Sequence, residues 1–227
     1  MAGKLSIVAT PIGNLSDITL RALETLKAAD LILAEDTRVT KKLLERYGIE
    51  KPLLSYHQHS GKEKATHIRA LLAEGKHLAL VTDAGTPGIS DPGGILVSEA
   101  RKQGLGTTIE SIPGPSALTS ALSIAGVPAD SFLFLGFLPH KKGRETLFRE
   151  IAGEKRTVVF YESSHRILKT LESLTEKLTA EHKVTIAREL TKIHEEGRGG
   201  TPQEILEHYQ NHPDKIRGEF TVLVSQR

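Results

Sequence analysis

The chain has 227 residues, 38% hydrophobic and 26% charged, with a net charge of +2, which suits one large or two modest soluble globular domains with enough apolar mass for a core. It contains no cysteine, which excludes a disulfide framework, a thiolate nucleophile, an iron–sulfur cluster and a Cys-type zinc site. The apolar stretch after Met1-Ala2-Gly3-Lys4 runs only from Leu5 to Ala9, too short for a signal peptide, and no run approaches the ~20 apolar residues of a membrane span, so the expectation is a cytosolic protein without membrane association.

Strand and helix patterns alternate through the first half. Leu5 to Ala9 reads as a short buried strand running into Thr10-Pro11-Ile12-Gly13-Asn14, a turn of Pro, Gly and Asn. Ser16 is the expected N-cap of a helix whose Leu20, Leu23 and Leu26 share one face. Leu31 to Ala34 is a second strand, ending in Glu35-Asp36-Thr37-Arg38, and a helix carrying Leu43, Leu44 and Tyr47 stops at Gly48. A strand at Leu53–Tyr56 is followed by a basic helix from about Lys62 to Glu74 and a strand at Leu78–Val81. The long glycine- and proline-rich loop from Thr82 to Gly94 opens a helix through Ala100, and a strand near Thr108–Ile112 runs into Pro113-Gly114-Pro115. Strands joined by helices of this length imply parallel pairing with right-handed crossovers.

After Pro115 the rhythm changes. Strands are expected at Phe132–Leu135, Thr157–Tyr161, Val184–Ala187 and Phe220–Val224, with helices at about Ser164–Leu178 and Pro202–Tyr209. The expected organisation is two α/β domains, 1–114 and 115–227.

The modest net charge hides two basic patches. From Asp36 to Lys76 there are nine Lys/Arg against five Asp/Glu, and from Leu138 to Arg149 four (Lys141, Lys142, Arg144, Arg149) against Glu145 alone. Such patches fit a phosphate-bearing partner or a solvated basic face. Tryptophan is absent, so any base stacking falls to Phe, Tyr, His or Arg.

Familiar nucleotide and hydrolase signatures fail. Gly104-Leu105-Gly106 lacks the third glycine of a dinucleotide fingerprint, and no glycine loop continues into Lys-Ser/Thr. A Gly-x-Ser-x-Gly elbow and a His-Glu-x-x-His pair are absent too. His57-Gln58-His59 has no neighbouring carboxylates and reads as a surface loop, so no metal is expected. Three loops remain, at the ends of expected parallel strands: Ala9 to Asn14, Thr82 to Gly93, and Pro113 to Ala117. Open α/β sheets bind ligands there, and Gly and Pro let a shaped backbone approach one closely. Physically these loops point to a small-molecule site without naming the ligand.

The wording of these segments resembles one family. Ala9-Thr10-Pro11-Ile12-Gly13-Asn14-Leu15 with Asp17-Ile18-Thr19-Leu20-Arg21-Ala22-Leu23, then Ala34-Glu35-Asp36-Thr37-Arg38, the Asp83–Gly93 loop and Ile112-Pro113-Gly114-Pro115-Ser116-Ala117 match in order. Gly136-Phe137-Leu138-Pro139, Phe160-Tyr161-Glu162-Ser163 with His165-Arg166, Ala187-Arg188-Glu189-Leu190-Thr191-Lys192 and Arg217-Gly218-Glu219-Phe220 complete the match. Together they resemble the ribosomal RNA small-subunit methyltransferase I family of the tetrapyrrole methylase superfamily. The loops Pro11-Ile12-Gly13-Asn14 and Ala84-Gly85-Thr86-Pro87 differ from the Gly-Pro-Gly-Asp and Ser-Gly-Asp-Pro types of corrin and siroheme methylases, which favours the RNA branch.

The resemblance implies S-adenosylmethionine as cofactor and methyl transfer to a cytidine 2′-oxygen in the decoding region of 16S ribosomal RNA, within the small subunit. It also implies two α/β domains of the tetrapyrrole methylase type with the cofactor cleft between them, and a homodimer. By motif matching, the cofactor contacts would be Pro11, Asp83, Gly85, Thr86, Pro87, Ile89, Ser116 and Ala117, with Tyr161 and Ala187 from the second domain. Methyl transfer needs donor and acceptor in line and a base for the weakly nucleophilic hydroxyl. Glu35, Asp36, Glu162 and Glu189 lie at strand ends as candidate bases, and Asn14 could orient the hydroxyl. The alternative for Asp36 is a helix N-cap, and for Glu162 a first-turn charge. Arg38, Lys41, Lys42 and Arg46 on one helix, and Lys141, Lys142 and Arg144 in a loop, are the candidate RNA contacts. The remaining readings are a methyltransferase for a tetrapyrrole or other small molecule, and a non-catalytic RNA-binding assembly factor.

Overall fold

Strands covered on both faces read as short continuous apolar runs, and the first half of the chain builds its sheet from such runs. The computed structural model describes residues 3–57, 60–91, 93–102 and 106–226. The chain divides into two compact units, Met1–Ser116 and Ala117–Arg227.

In the first unit, strands β1 (Lys4–Val8), β2 (Leu31–Ala34), β3 (Leu53–Ser55), β4 (His77–Val81) and β5 (Thr108–Ile112) form a parallel sheet in the order β3-β2-β4-β1-β5. Helices α1 (Leu20–Ala28) and α2 (Thr37–Arg46) cover one face, where Ala22, Leu26, Leu43 and Leu44 pack on Val8, Ile32, Ala79 and Val81. Helices α3 (Lys62–Ala73) and α4 (Gly93–Lys102) cover the other, where Ile68, Leu72 and Leu96 pack on Leu5, Leu33, Leu78 and Leu80. Each fully buried Leu or Ile side chain contributes roughly 1.5–3 kcal/mol.

This order fixes where a ligand fits. From β1 the chain moves through α1 on one face toward β2 and β3; from β4 it moves through α4 on the opposite face toward β5. The neighbours β1 and β4 therefore send their following loops to opposite faces, and a crevice opens between their C-terminal ends, the topological switch point of an open α/β sheet.

The second unit begins with α5 (Ala117–Ala125) and carries a sheet of β6 (Phe132–Phe137), β7 (Thr157–Ser163), β8 (His182–Arg188), β9 (Glu196–Gly200) and β10 (Glu219–Gln226), ordered β6-β7-β10-β8-β9. In this sheet only the β6–β7 pairing is parallel among the described residues. Helices α6 (Arg144–Gly153), α7 (Ile167–Lys177) and α8 (Pro202–Asn211) cover one face, with Phe148, Leu171, Leu174, Ile205 and Tyr209 packed on Phe160, Val184, Ile186, Phe220 and Val222. Helix α5 lies against β8, β9 and β10 on the other face.

Several boundaries differ from the sequence reading, each for a local reason. Ser16 is not the N-cap of α1: it sits in a short 3-10 turn capped by Asn14, whose Oδ1 accepts the Ser16 N–H at 3.0 Å, and Thr19 caps α1 through the Ala22 N–H. Helix α7 starts at Ile167 rather than Ser164 because residues 163–166 close a turn, with the Arg166 N–H donating to the Ser163 carbonyl. The segment read as a basic loop ending at Arg144 passes into α6 at that residue. Strand β9, Glu-Gly-Arg-Gly-Gly, has no apolar alternation to reveal it and exists by pairing with β8. Gln58 and His59 of the possible metal pair, and Gly104 and Leu105, lie outside the described residues. Among the described residues no helix is long and apolar enough to cross a membrane, and no cluster of three His or acidic side chains could hold a metal.

Candidate active site

The loops after β1, β4 and β5 are laced into one platform. Thr10 and Gly85 exchange both backbone hydrogen bonds, at 2.9 and 3.0 Å, and Thr10 Oγ1 donates to the Thr82 carbonyl at 3.0 Å. The Ala9 N–H donates to the Ile112 carbonyl, and Thr86 Oγ1 to the Pro115 carbonyl. Gly85 adopts φ +82 beside Ile12, a conformation that a side chain would strain. The long loop is braced from within: the Asp91 carboxylate accepts the N–H groups of Gly88 and Gly93, at 2.7–2.9 Å, around Ser90, which sits at φ 64. A non-glycine residue in the left-handed region persists only where its surroundings hold it there, as the Asp91 bonds do here. Pro11, Gly85 and Pro87 are buried within this platform, while Ile89 at its rim is 46% exposed.

The neighbouring strand end, after β2, brings carboxylates to the same place. Glu35 accepts the Thr82 hydroxyl at 2.8 Å, and Asp83 Oδ1 accepts the Asp36 N–H at 2.9 Å. Three acidic side chains thus meet where β2 and β4 end. They are not equivalent. Asp36 is the N-cap of α2 and is gripped by Arg38, whose guanidinium donates to both carboxylate oxygens at 2.6–3.2 Å. Those hydrogen bonds hold its pKa down to about 2, so it is a feeble proton acceptor at neutral pH. Asp83 is shifted the other way: desolvation raises it, Glu35 and Asp36 add to the rise, and the Asp36 N–H only partly opposes. Between Asp36 and Asp83, the raised Asp83 is the better proton acceptor. Motif matching places it only among the cofactor contacts, because its carboxylate neighbour Asp36 is 47 residues away in sequence.

On α2, Arg38, Lys41, Lys42 and Arg46 are all exposed, spaced along one side of the helix. Arg38 is committed to Asp36, and Lys41 lies 3.8 Å from Glu45.

In the second unit the expected residues separate into two groups. Tyr161 on β7, Thr221 on β10 and Ala187 on β8 lie side by side in register. Burial raises the Tyr161 phenol pKa, and the nearby Leu118 backbone at the start of α5, next to Ala117, partly opposes the rise. Glu162, one residue on, points to the other face. Its side chain is fully buried, with Oε1 held by Arg166 (2.6 Å) and the Ser163 N–H (2.9 Å), and Oε2 by Thr170 (2.7 Å) and Arg144 (3.2 Å). A carboxylate whose lone pairs are filled inside the core is not presented to a substrate, so the reading of Glu162 as a base is corrected to a structural ion. Arg144 is corrected with it: the residue is buried, stacked 5.0 Å over Phe148 and spent on Glu162, Thr170 and the Pro139 carbonyl, so it contacts no phosphate. Lys141 and Lys142, just before it, are exposed. Glu189 sits at φ 51 and uses Oε1 to accept Lys192 and the Glu219 N–H, which fixes the turn after β8.

A Ser–His–acid grouping also occurs at the opposite, N-terminal end of the first sheet. Ser6 Oγ donates to Glu110 at 2.7 Å and lies 2.8 Å from His77 Nε2. Here the hydroxyl, not the imidazole, is central, and its proton already goes to the carboxylate. It therefore lacks the base–nucleophile order that acyl transfer needs.

The sequence model for Tetrapyrrole (Corrin/Porphyrin) Methylases matches residues 4–205. A protein of Thermotoga maritima named ribosomal RNA small subunit methyltransferase I is 49% identical over 223 residues, covering 98% of each chain. The protein of the same name from Escherichia coli O157:H7 is 47% identical, over 98% of this chain and 77% of the other. Among solved structures, the methyltransferase CobJ superposes with a TM-score of 0.72 at 22% identity, over 99% of this chain and 95% of that one. A uroporphyrin-III-C-methyltransferase from Thermus thermophilus gives 0.66 at 20%, over 98% and 94%, a likeness of fold. The laced loops at the switch point, the two α/β units and these similarities agree: the chain belongs to the tetrapyrrole methylase family, and within it to the ribosomal RNA small subunit methyltransferase I group.

Proposed function

We propose that this chain transfers a methyl group from S-adenosylmethionine to the 2′-oxygen of a cytidine ribose in 16S ribosomal RNA assembled in the small subunit, working as a homodimer. The observation that carries the chemistry is the acidic strand end at the switch point. Glu35, Asp36 and Asp83 gather negative charge beside a glycine-shaped backbone, and the nearest cation on α2, Arg38, is spent on Asp36. That environment suits a ligand bearing sulfonium and ammonium charges and opposes the pyrophosphate of a dinucleotide. The group membership supports the acceptor.

Pro11, Gly85, Thr86, Pro87, Ile89 and Ser116, on the three loops, are the proposed cofactor holders. When bound, S-adenosylmethionine supplies an electrophilic methyl carbon. The chain's own part is to align the ribose hydroxyl and remove its proton. Asp83, with its raised pKa, takes that proton, and Asn14, at the edge of the first loop, orients the hydroxyl. The exposed cations of α2 meet phosphates, which position an RNA without reading its sequence; recognition then rests on the shape of an assembled particle and a splayed-out nucleotide.

Tritiated cofactor incubated with undermethylated small subunits, followed by nuclease mapping, tests this. Label on a ribose 2′-oxygen is expected, with free RNA a poorer acceptor than the particle. Label on a base, or on no RNA, overturns it.

A further inference from the structure

Strand β6 is an edge strand with a fault in its register. Phe134 pairs with Val159 and Phe137 with Tyr161, so three steps along β6 match two along β7, with Gly136 at φ 62 in the interval. Regular alternation would send Phe134 and Phe137 to opposite faces. The extra residue returns Phe137 to the face of Phe134, and both rings rest on Tyr161, at centroid distances of 5.1 and 5.4 Å. Bulges in edge strands re-aim side chains in this way. The outcome is an aromatic ring held in place from beneath yet 59% exposed.

The segment after Phe137 is basic and equally well anchored. Leu138 is buried, and then Pro139, His140, Lys141 and Lys142 are all exposed. The backbone of this tip is pinned from inside the unit: Arg166 donates to the Leu138 carbonyl at 2.9 Å and Arg144 to the Pro139 carbonyl at 3.1 Å. Both guanidiniums are held by Glu162. The buried carboxylate and its two arginines therefore give the exposed tip its shape.

A rigid exposed ring beside long-stemmed cations matches the chemistry of a single nucleic-acid strand, which offers a flat π-face and a phosphate at each residue. We propose that Phe137 is the stacking platform for an unpaired base of the RNA substrate, with Lys141 and Lys142 meeting the flanking phosphates. This rests on the proposed RNA methylation and names where the splayed strand is gripped. The ring accounts for affinity toward the strand, not for the methyl transfer itself.

Two variants test it, Phe137→Leu and Phe137→Trp, assayed on undermethylated small subunits with cofactor affinity measured in parallel by calorimetry. Leucine fills the apolar contact but has no π-face, so it raises the KM for the particle roughly tenfold to a hundredfold, with cofactor affinity unchanged; tryptophan restores it. A Leu variant with ordinary KM overturns the proposal. So does a loss that follows cofactor affinity, which assigns the ring to the cofactor, or one that follows a changed oligomeric state by light scattering, which assigns it to a second copy. The chain has no other tryptophan, so Phe137→Trp also gives a single reporter. Its emission is quenched by a saturating single-stranded oligoribonucleotide if the base stacks there; unchanged emission while anisotropy shows the RNA bound overturns the proposal. If the wild-type chain puts no methyl on the particle, the proposed reaction fails, and the fluorescence reading still decides the platform.

Discussion

Asp83 lies just past β4 and Glu162 near the end of β7, each strand with a parallel neighbour, yet the two units use these carboxylates oppositely. At the end of β4, Asp83 takes a single backbone N–H from Asp36 and is pushed up in pKa by desolvation and by two carboxylate neighbours. At the end of β7, Glu162 is buried and saturated by two guanidiniums, a hydroxyl and an amide. In the proposed mechanism the same functional group serves as a base where its lone pairs are left to a substrate, and as a structural partner where the fold has filled them. The partner set decides the role, not the position at a strand end.

Substitutions that remove the charge separate these roles. Asp83→Asn is expected to lower turnover about 10²–10⁴-fold, the usual loss of a positioned base, while the melting temperature holds. Because the raised group must be ionised to accept a proton, the acid limb of the pH–rate profile lies above the ordinary value of 3.8, with activity rising as pH rises through it. A limb near 2 would assign the base to Asp36 instead. Glu162→Ala is expected to act on stability: it strands Arg144 and Arg166 in the interior and costs ~3–5 kcal/mol in urea unfolding. A stable, inactive Glu162 variant would restore its reading as a base.

Smaller effects sharpen the same contrast at the surface. Lys141→Ala, outside the buried network, should leave the fold intact and reduce the salt slope of RNA binding by about 0.7 for the lost phosphate contact. Asp36→Asn keeps a good N-cap residue, so the fold should hold; its effect on turnover should be far smaller than that of Asp83→Asn, with the acid limb moved down because one charge that raises Asp83 is gone. A large loss there would mean that the Asp36–Arg38 pair meets the substrate.

Legibility from sequence divides along the same line. The parallel sheet of the first unit is readable because buried runs such as Leu31–Ala34 and Leu78–Val81 alternate with helical periodicity, and the loops between them carry Gly and Pro at the strand ends. Family resemblance points to the loops that the Thr10–Gly85 bridge joins. The pairing of Asp36 with Asp83 is not readable, since strand order, not chain order, makes them neighbours. Strand β9 escapes because its residues form a strand only by pairing with β8. Arg144 looks like part of an exposed basic run because charge counts do not reveal the buried acid, 18 residues on, that claims it.

The proposed ribose methylation, with Asp83 as base, predicts a product that can be weighed. Undermethylated small subunits are incubated with cofactor and either the wild-type chain or Asp83→Asn, and their nucleosides are analysed by mass spectrometry. The expected result is 2′-O-methylcytidine with the wild type and about a hundredth of that or less, in the same time, with a variant that still binds cofactor. A base-methylated nucleoside, or wild-type yield from Asp83→Asn, would contradict it.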